Sequence, residues 1–190
     1  MPVARNASIV LALGLAFTGA IAGEIAGSTV LSTNASNTSA GLSSTASQNI
    51  GVAEQSGKIT NSSVIVNGAS NTAAGLSSTA TQSVGRATDR GTITNSTILG
   101  QNLRNRAAGF DSTATQEVGF AKDNGVIQNS TVMANGASNT AAGFSATARQ
   151  QIGGAQGNGK LTNSTVIATG ASNTAGGFMS SARQTIGIVK

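Results

Sequence analysis

The chain has 190 residues, with 25 glycines, one proline, and no cysteine, histidine, tryptophan or tyrosine, which excludes disulfides, Cys/His metal sites and Cys- or His-based nucleophile–base pairs. Charged residues make up 9% and sum to a formal +5; Arg104 with Arg106 is the nearest approach to a basic run. With Phe17, Phe110, Phe120, Phe144 and Phe178 as its only aromatics, the chain lacks the basic patch and the stacking platforms of a nucleic-acid binder.

Residues 1–22 are expected to be a secretory signal peptide. Arg5 is followed by an apolar stretch from Ala7 to Ala22, and Ala20-Ile21-Ala22 forms an A-x-A cleavage site before Gly23. The stretch is shorter than the roughly 20 residues that cross a bilayer, and Ser8, Gly14, Thr18 and Gly19 interrupt it. No stable membrane insertion is therefore expected. Residues 23–190 should form the mature chain, secreted and extracellular or held at the cell surface.

From Ile25 onward one unit recurs with a period of 34 and no insertions, over 25–58, 59–92, 93–126, 127–160 and the shorter 161–190. Tetratricopeptide helices share that length, but this unit is dense in Thr, Ser, Val, Asn and Gly, which are middling to poor helix formers. Its two clearest segments are β-branched or alternate with period two. In the second copy a first strand is expected over 59–66, a turn over 67–71 and a short extra strand over 72–74. A second strand follows over about 76–84, ended by Gly85, with another turn over 86–92.

Charge sets the orientation of the second strand. Asp111, Glu117, Arg149 and Arg183 all share the parity of Ser77, Thr79, Thr81 and Ser83. Isolated charges are costly to bury, so this parity faces out, and Leu76, Ser78, Ala80, Gln82 and Val84 face in. Lys58, Arg86, Asp89, Arg90, Lys122, Asp123 and Lys160 are assigned to the second, solvated turn. The first strand is ambiguous. Ile59, Asn61, Ser63 and Ile65 share one parity, and Val30, Val64, Ile98, Val132 and Val166 share the other. If the first set faces in, the second becomes an exposed apolar ladder.

One such unit cannot bury its thin apolar face alone, whereas units stacked in register about 4.8 Å apart can. The expected fold is all-β, a β-solenoid of five stacked 34-residue strand-turn-strand repeats, with one coil per repeat preferred over two of 17. Stacking aligns Gln48, Gln82, Gln116, Gln150 and Gln184, and likewise Asn37, Asn71, Asn105, Asn139 and Asn173. Side-chain amides in such ladders satisfy one another by periodicity. Two glycine columns recur, Gly41, Gly75, Gly109, Gly143 and Gly177, and Gly51, Gly85, Gly119, Gly153 and Gly187. Both suit tight bends with positive φ. The sequons starting at Asn61, Asn95, Asn129 and Asn163 are read as strand chemistry, with those asparagines pointing inward.

Inward Gln and Asn ladders, Gly-bounded turns, a small Ala/Ser core, a leader and no Cys resemble bacterial curlin-type functional amyloid subunits. In the second copy Asn71-Thr72-Ala73 matches the Asn-x-Ala piece of the curlin pattern, and Ser78-x-Ala80-x-Gln82 followed by Gly85 resembles the rest. The Gln-to-Gly spacing and the longer period depart from that pattern, and a separate family of secreted β-solenoid fibre or attachment proteins fits equally well. The resemblance implies a secreted structural subunit that self-assembles head-to-tail into extracellular, amyloid-like fibres for biofilm matrix or surface adhesion. The expected partner is the chain itself, with a nucleator subunit or an outer-membrane secretion channel left open as a second.

No catalytic, metal or cofactor residues are assigned, because the acids of the repeats never pair at a recurring spacing. The chain is therefore expected not to be an enzyme. The alternative is a monomeric solenoid that binds ice or polysaccharide through outward Thr/Ser rows: Thr60-x-Ser62, Thr94-x-Ser96, Thr162-x-Ser164 and Thr79-x-Thr81. Neither end of the repeat array carries a visible capping segment, so both ends are expected to stay open to growth.

Overall fold

A computed structural model describes residues 23–189; the expected signal peptide and Lys190 lie outside the described residues. The chain winds through five coils of four strands each. The first coil contains β1 (Glu24–Ala26), β2 (Thr29–Thr33), β3 (Ser36–Ala40) and β4 (Ser43–Ala53). The second contains β5 (Lys58–Thr60), β6 (Ser63–Asn67), β7 (Ser70–Ala74) and β8 (Ser77–Ala87). The third repeats them as β9 (Thr92–Thr94), β10 (Thr97–Gln101), β11 (Arg104–Ala108) and β12 (Asp111–Ala121). In the fourth they are β13 (Val126–Gln128), β14 (Thr131–Asn135), β15 (Ser138–Ala142) and β16 (Ser145–Ala155). The fifth holds β17 (Lys160–Thr162), β18 (Thr165–Thr169), β19 (Ser172–Gly176) and β20 (Met179–Val189). Equivalent strands pair in parallel to give four five-stranded sheets. Every pairing joins residue i to residue i+34, as in Gln82 with Gln116. The fold is a β-solenoid with one coil per 34 residues.

Each coil has more corners than a strand-turn-strand unit. The first expected strand is broken at Asn61-Ser62 into β5 and β6. Asn61 sits at φ 49°, in the left-handed region that Asn tolerates better than most residues. Asn95, Asn129 and Asn163 repeat that conformation, and Gly27 takes it in the first coil. The break shifts the parity by one, so Ile59 and Val64 both face in and are fully buried. Val30, Val64, Ile98, Val132 and Val166 are therefore core residues, not an exposed ladder. The expected short third strand is the full five-residue β7, and only Gly68 and Ala69 separate it from β6.

The long strand does not stop at Gly85. β8 continues to Ala87, and Gly85 bends it at φ +61°. A Cβ there would lie 2.6 Å from Ile98 of the next coil, so this column needs glycine twice over. The bend changes parity again: Val84 and Ala87 are both buried, and Arg86, assigned above to the solvated turn, lies on the strand. The column of Gly75 has a different cause. Gly75, Gly109 and Gly143 are not among the positive-φ glycines, and a Cβ on Gly75 would fall onto the carbonyl oxygen of Gly41. Close backbone approach at a corner, not handedness, excludes a side chain at these three, whereas Gly41 and Gly177 at the two ends of the column take the expected positive φ, at 152° and 145°.

The core is narrow and has two parts. Ile59, Val64, Val66, Val84 and their equivalents form an aliphatic part; Ala73, Ala80 and theirs form an alanine part. These side chains leave water only when a coil lies on either side, as the exposure of Ile186 and Val189 in the last coil shows, so a coil depends on its neighbours, as in other solenoids.

Candidate functional site

On β8 the inward series runs Ser78, Ala80, Gln82, Val84, so Gln82 lies between the alanine and aliphatic parts of the core. Asn71 stands likewise on β7, ahead of Ala73. Both side chains are fully buried. The glutamine column is continuous: Gln82 Nε2 donates to Gln48 Oε1 at 2.7 Å, Gln116 to Gln82 at 2.7 Å, Gln150 to Gln116 at 2.6 Å and Gln184 to Gln150 at 2.6 Å. Backbone carbonyls fix the amide orientation, since only the NH2 side can face them. Gln82 Nε2 also lies 3.3 Å from the Ala69 carbonyl, and Gln150 Nε2 lies 3.1 Å from that of Ala137.

The asparagine column runs the other way. Asn37 Nδ2 donates to Asn71 Oδ1 at 2.9 Å, and Asn71, Asn105 and Asn139 each donate to the following copy at 2.8 Å. The same Nδ2 of Asn71 donates to the carbonyls of Ala46 and Thr81, at 3.0 and 2.9 Å. Glutamine donors thus point toward the N-terminal coils and asparagine donors toward the C-terminal ones. Two antiparallel rows of amide dipoles share one low-dielectric core, and each is satisfied only by having a copy on either side.

A third ladder escaped the sequence reading. Ser62 Oγ donates to the Thr60 carbonyl at 2.7 Å and lies 3.1 Å from that of Ile25, while it accepts from the Ser28 N–H at 3.2 Å. Ser96 and Ser130 repeat the pattern, and Ser164 accepts from the Ser130 N–H. These hydroxyls replace the ladder bond that the left-handed corner interrupts. The Asn-Ser-Thr phrase was the available signal: Asn takes the corner and Ser closes it. Asn61, Asn95, Asn129 and Asn163 are exposed, not inward. Ser62, Ser96 and Ser130 are buried, so the expected Thr60-x-Ser62 type of outward double row does not exist on that face. Thr79 and Thr81 do lie on the outer side of β8, exposed and half-buried.

Two further corrections concern the outer surface. Leu76 is 60% exposed, not inward. It sits at the corner beside Gly75, where Ser78 Oγ closes the backbone by donating to the Gly75 and Ala108 carbonyls, leaving no interior room. Its column, Leu42, Leu76, Phe110, Phe144 and Phe178, is an exposed apolar stripe. Phe110 and Phe144 stack with centroids 4.9 Å apart, and Phe144 and Phe178 with 5.3 Å. The other correction is Arg86, whose Nε lies 3.1 Å from Glu117 Oε2 across two coils. The contact is an ion pair too bent to count as a hydrogen bond. Asp111, Arg149 and Arg183 are exposed on the expected outer face.

The axial faces of the first and last coils differ from the interior. Val84 and Ala87 are fully buried, whereas their fifth-coil equivalents Ile186 and Val189 are 47% and 49% exposed. Gln184 is exposed as well, although Gln82, Gln116 and Gln150 are fully buried. Among the described residues no strand lies beyond β17–β20 on one side or β1–β4 on the other. Comparisons with protein-family models, with curated proteins and with solved structures return no match.

Proposed function

We propose that this chain is a secreted structural subunit that assembles head-to-tail into extracellular fibres, of the curlin-like functional-amyloid kind, for biofilm matrix or surface attachment. The observation that carries this reading is the fifth coil's axial face. It presents in solvent the same aliphatic, glutamine and backbone rows that every inner coil buries against its neighbour. A strand edge with unpaired N–H and C=O groups is a template for another copy, and a heterologous contact of this kind propagates into an open filament. Export rests on residues 1–22, whose removal would leave a chain beginning at Gly23. The role is structural, with the ladders holding successive coils and successive molecules together.

Electron microscopy with fibre diffraction on purified chain tests this. Thin filaments with an axial repeat of about 4.8 Å are expected. A chain that stays monomeric by light scattering at high concentration for days overturns the fibre reading. In that outcome a solenoid binding module, with its outward Thr rows, takes its place.

A further inference from the structure

The distribution of charge along the solenoid axis is uneven. The coil at 24–57 carries Glu24 and Glu54 and no Lys or Arg, whereas the coil from 160 onward carries Lys160, Arg183 and Lys190 and no Asp or Glu. Of the coils between them, the second and third mix both signs and the fourth carries only Arg149. The two axial faces of the described solenoid therefore have opposite charge.

The register makes this specific. Glu24 pairs with Lys58 at the head of the first sheet, and Val126 pairs with Lys160 at its far end. Carried on by one more period, the residue that falls on Lys160 is Glu24 of a second copy. There it would stand between Lys160 of one molecule and its own Lys58. Glu24 of the first coil thus meets a lysine of the last when two copies stack in register, their Cα atoms about 4.8 Å apart. Arg183 falls on Ser47, which is neutral.

The amide ladders have the same sense. Their direction leaves Gln184 Oε1 as an acceptor on the last coil and the Gln48 amide N–H as a donor on the first. It leaves the Asn173 amide on the last coil and Asn37 Oδ1 on the first. Joining two first coils would bring acids to acids and, column on column, glutamine donor to donor and asparagine acceptor to acceptor. Joining two last coils would oppose lysines and match acceptor to acceptor in the glutamine column. Only last-on-first stacking satisfies charge and hydrogen bonding together.

We infer that the Glu24 and Lys160 columns form an electrostatic key between copies of this chain, which steers the last coil of one molecule onto the first coil of the next and gives the fibre a single polarity. This rests on the fibre reading above and names the contact that orients it. Charge complementarity of this kind acts mainly on encounter rate and on rejection of wrong pairings. Both side chains are on the outer surface, Lys160 exposed and Glu24 half-buried, so reversing either leaves the coil core untouched; Glu24→Lys also faces its own Lys58, a contact that Lys160→Glu leaves unchanged.

The test is seeded elongation of the purified full chain, with the chain starting at Gly23 run in parallel. Circular dichroism checks that each variant keeps its β-structure. Glu24→Lys and Lys160→Glu, each alone, should slow elongation about tenfold or more at low ionic strength, within the range of electrostatic steering. The loss should shrink at about 1 M salt, where the screening length falls to roughly 3 Å. The double variant restores opposite charges at its own joints and should elongate its own seeds at close to the wild-type rate. It should elongate wild-type seeds poorly, because each mixed joint opposes like charges. Wild-type filaments together with a double variant that grows no better than the singles, or that extends wild-type seeds freely, overturn the key and leave the fibre reading standing. Absence of filaments from the wild-type chain overturns both.

Discussion

At Gln82 the cost of a single atom change is set by the ladder. The side chain is fully buried and its Nε2 donates to Gln48 Oε1 at 2.7 Å while Gln116 Nε2 donates to its Oε1 at the same distance. Gln82→Glu keeps the shape and the acceptor but replaces the donor with a second oxygen facing Gln48 Oε1. The carboxylate either ionises in a dry seam or binds a proton, and both are costly. Destabilisation of about 3–5 kcal/mol is expected, comparable to breaking a buried charged pair. Gln55→Glu makes the same chemical change in an exposed turn, where surface substitutions usually stay within about 0.5 kcal/mol. Urea unfolding of the two variants measures the difference; equal midpoints would show that the amide column contributes nothing beyond packing. The positions of both amide columns were legible because identical residues at a 34-residue spacing must stack once the fold is a solenoid. The opposite directions of the two rows were not, since direction depends on which carbonyls each NH2 meets.

Among the elements, period and sheet formation could be read from composition and alternation, but corners could not. A left-handed Asn in mid-strand leaves the pattern of β-branched residues intact while moving the next inward position by one, so Ile59 and Val64 read as opposite faces yet lie on the same one. Gly85 has the same effect on the long strand. Leu76 reads as inward because it is apolar and shares the parity of Ala80 and Gln82; only the corner geometry around Gly75 places it outside. The packing of β10 shows a compensation that the sequence also contains. The third coil has Gly100 and Leu103 where the second has Val66 and Ala69, all with inward positions. A Cβ on Gly100 would lie 2.6 Å from Leu103 Cδ1, so the leucine occupies the space that the valine fills one coil earlier. Gly100→Val alone should overpack the site by about 1–3 kcal/mol, and Leu103→Ala alone should leave a cavity costing about 2–5 kcal/mol. The double variant recreates the second coil's pair. It should return to within about 1 kcal/mol of the parent, giving a large coupling energy in a double-mutant cycle. Additive losses would mean that the two positions do not share one space.

For the whole molecule, the decisive property is that coil meets coil in one register throughout. Stability should then behave as a sum of coils and nearest-neighbour interfaces, and five coils have four interfaces. Excising residues 59–92 removes one coil and leaves three interfaces. At the new joint Gln48 meets Gln116, Asn37 meets Asn105, Ser28 meets Ser96 and Val30 meets Ile98, so every ladder closes again on the same residue type. Arg86 is lost with the excised coil, which leaves Glu117 beside Asn49. Excising only 59–75 removes β5 apart from Lys58, all of β6 and all of β7, while keeping β8. The long strand can still stack on β4, but the coil no longer closes, and three of the four sheets are cut between the first and third coils. The 34-residue deletion is therefore expected to unfold in one transition at somewhat lower stability, with coil-by-coil hydrogen-exchange protection like the parent's. The 17-residue deletion should leave the coils from 92 onward protected while residues 24–53 exchange and are cut by protease readily. A 17-residue deletion that kept residues 24–53 protected would mean that half a coil is itself a stacking unit, and the 34-residue register would lose its claim to be the element that builds the rod.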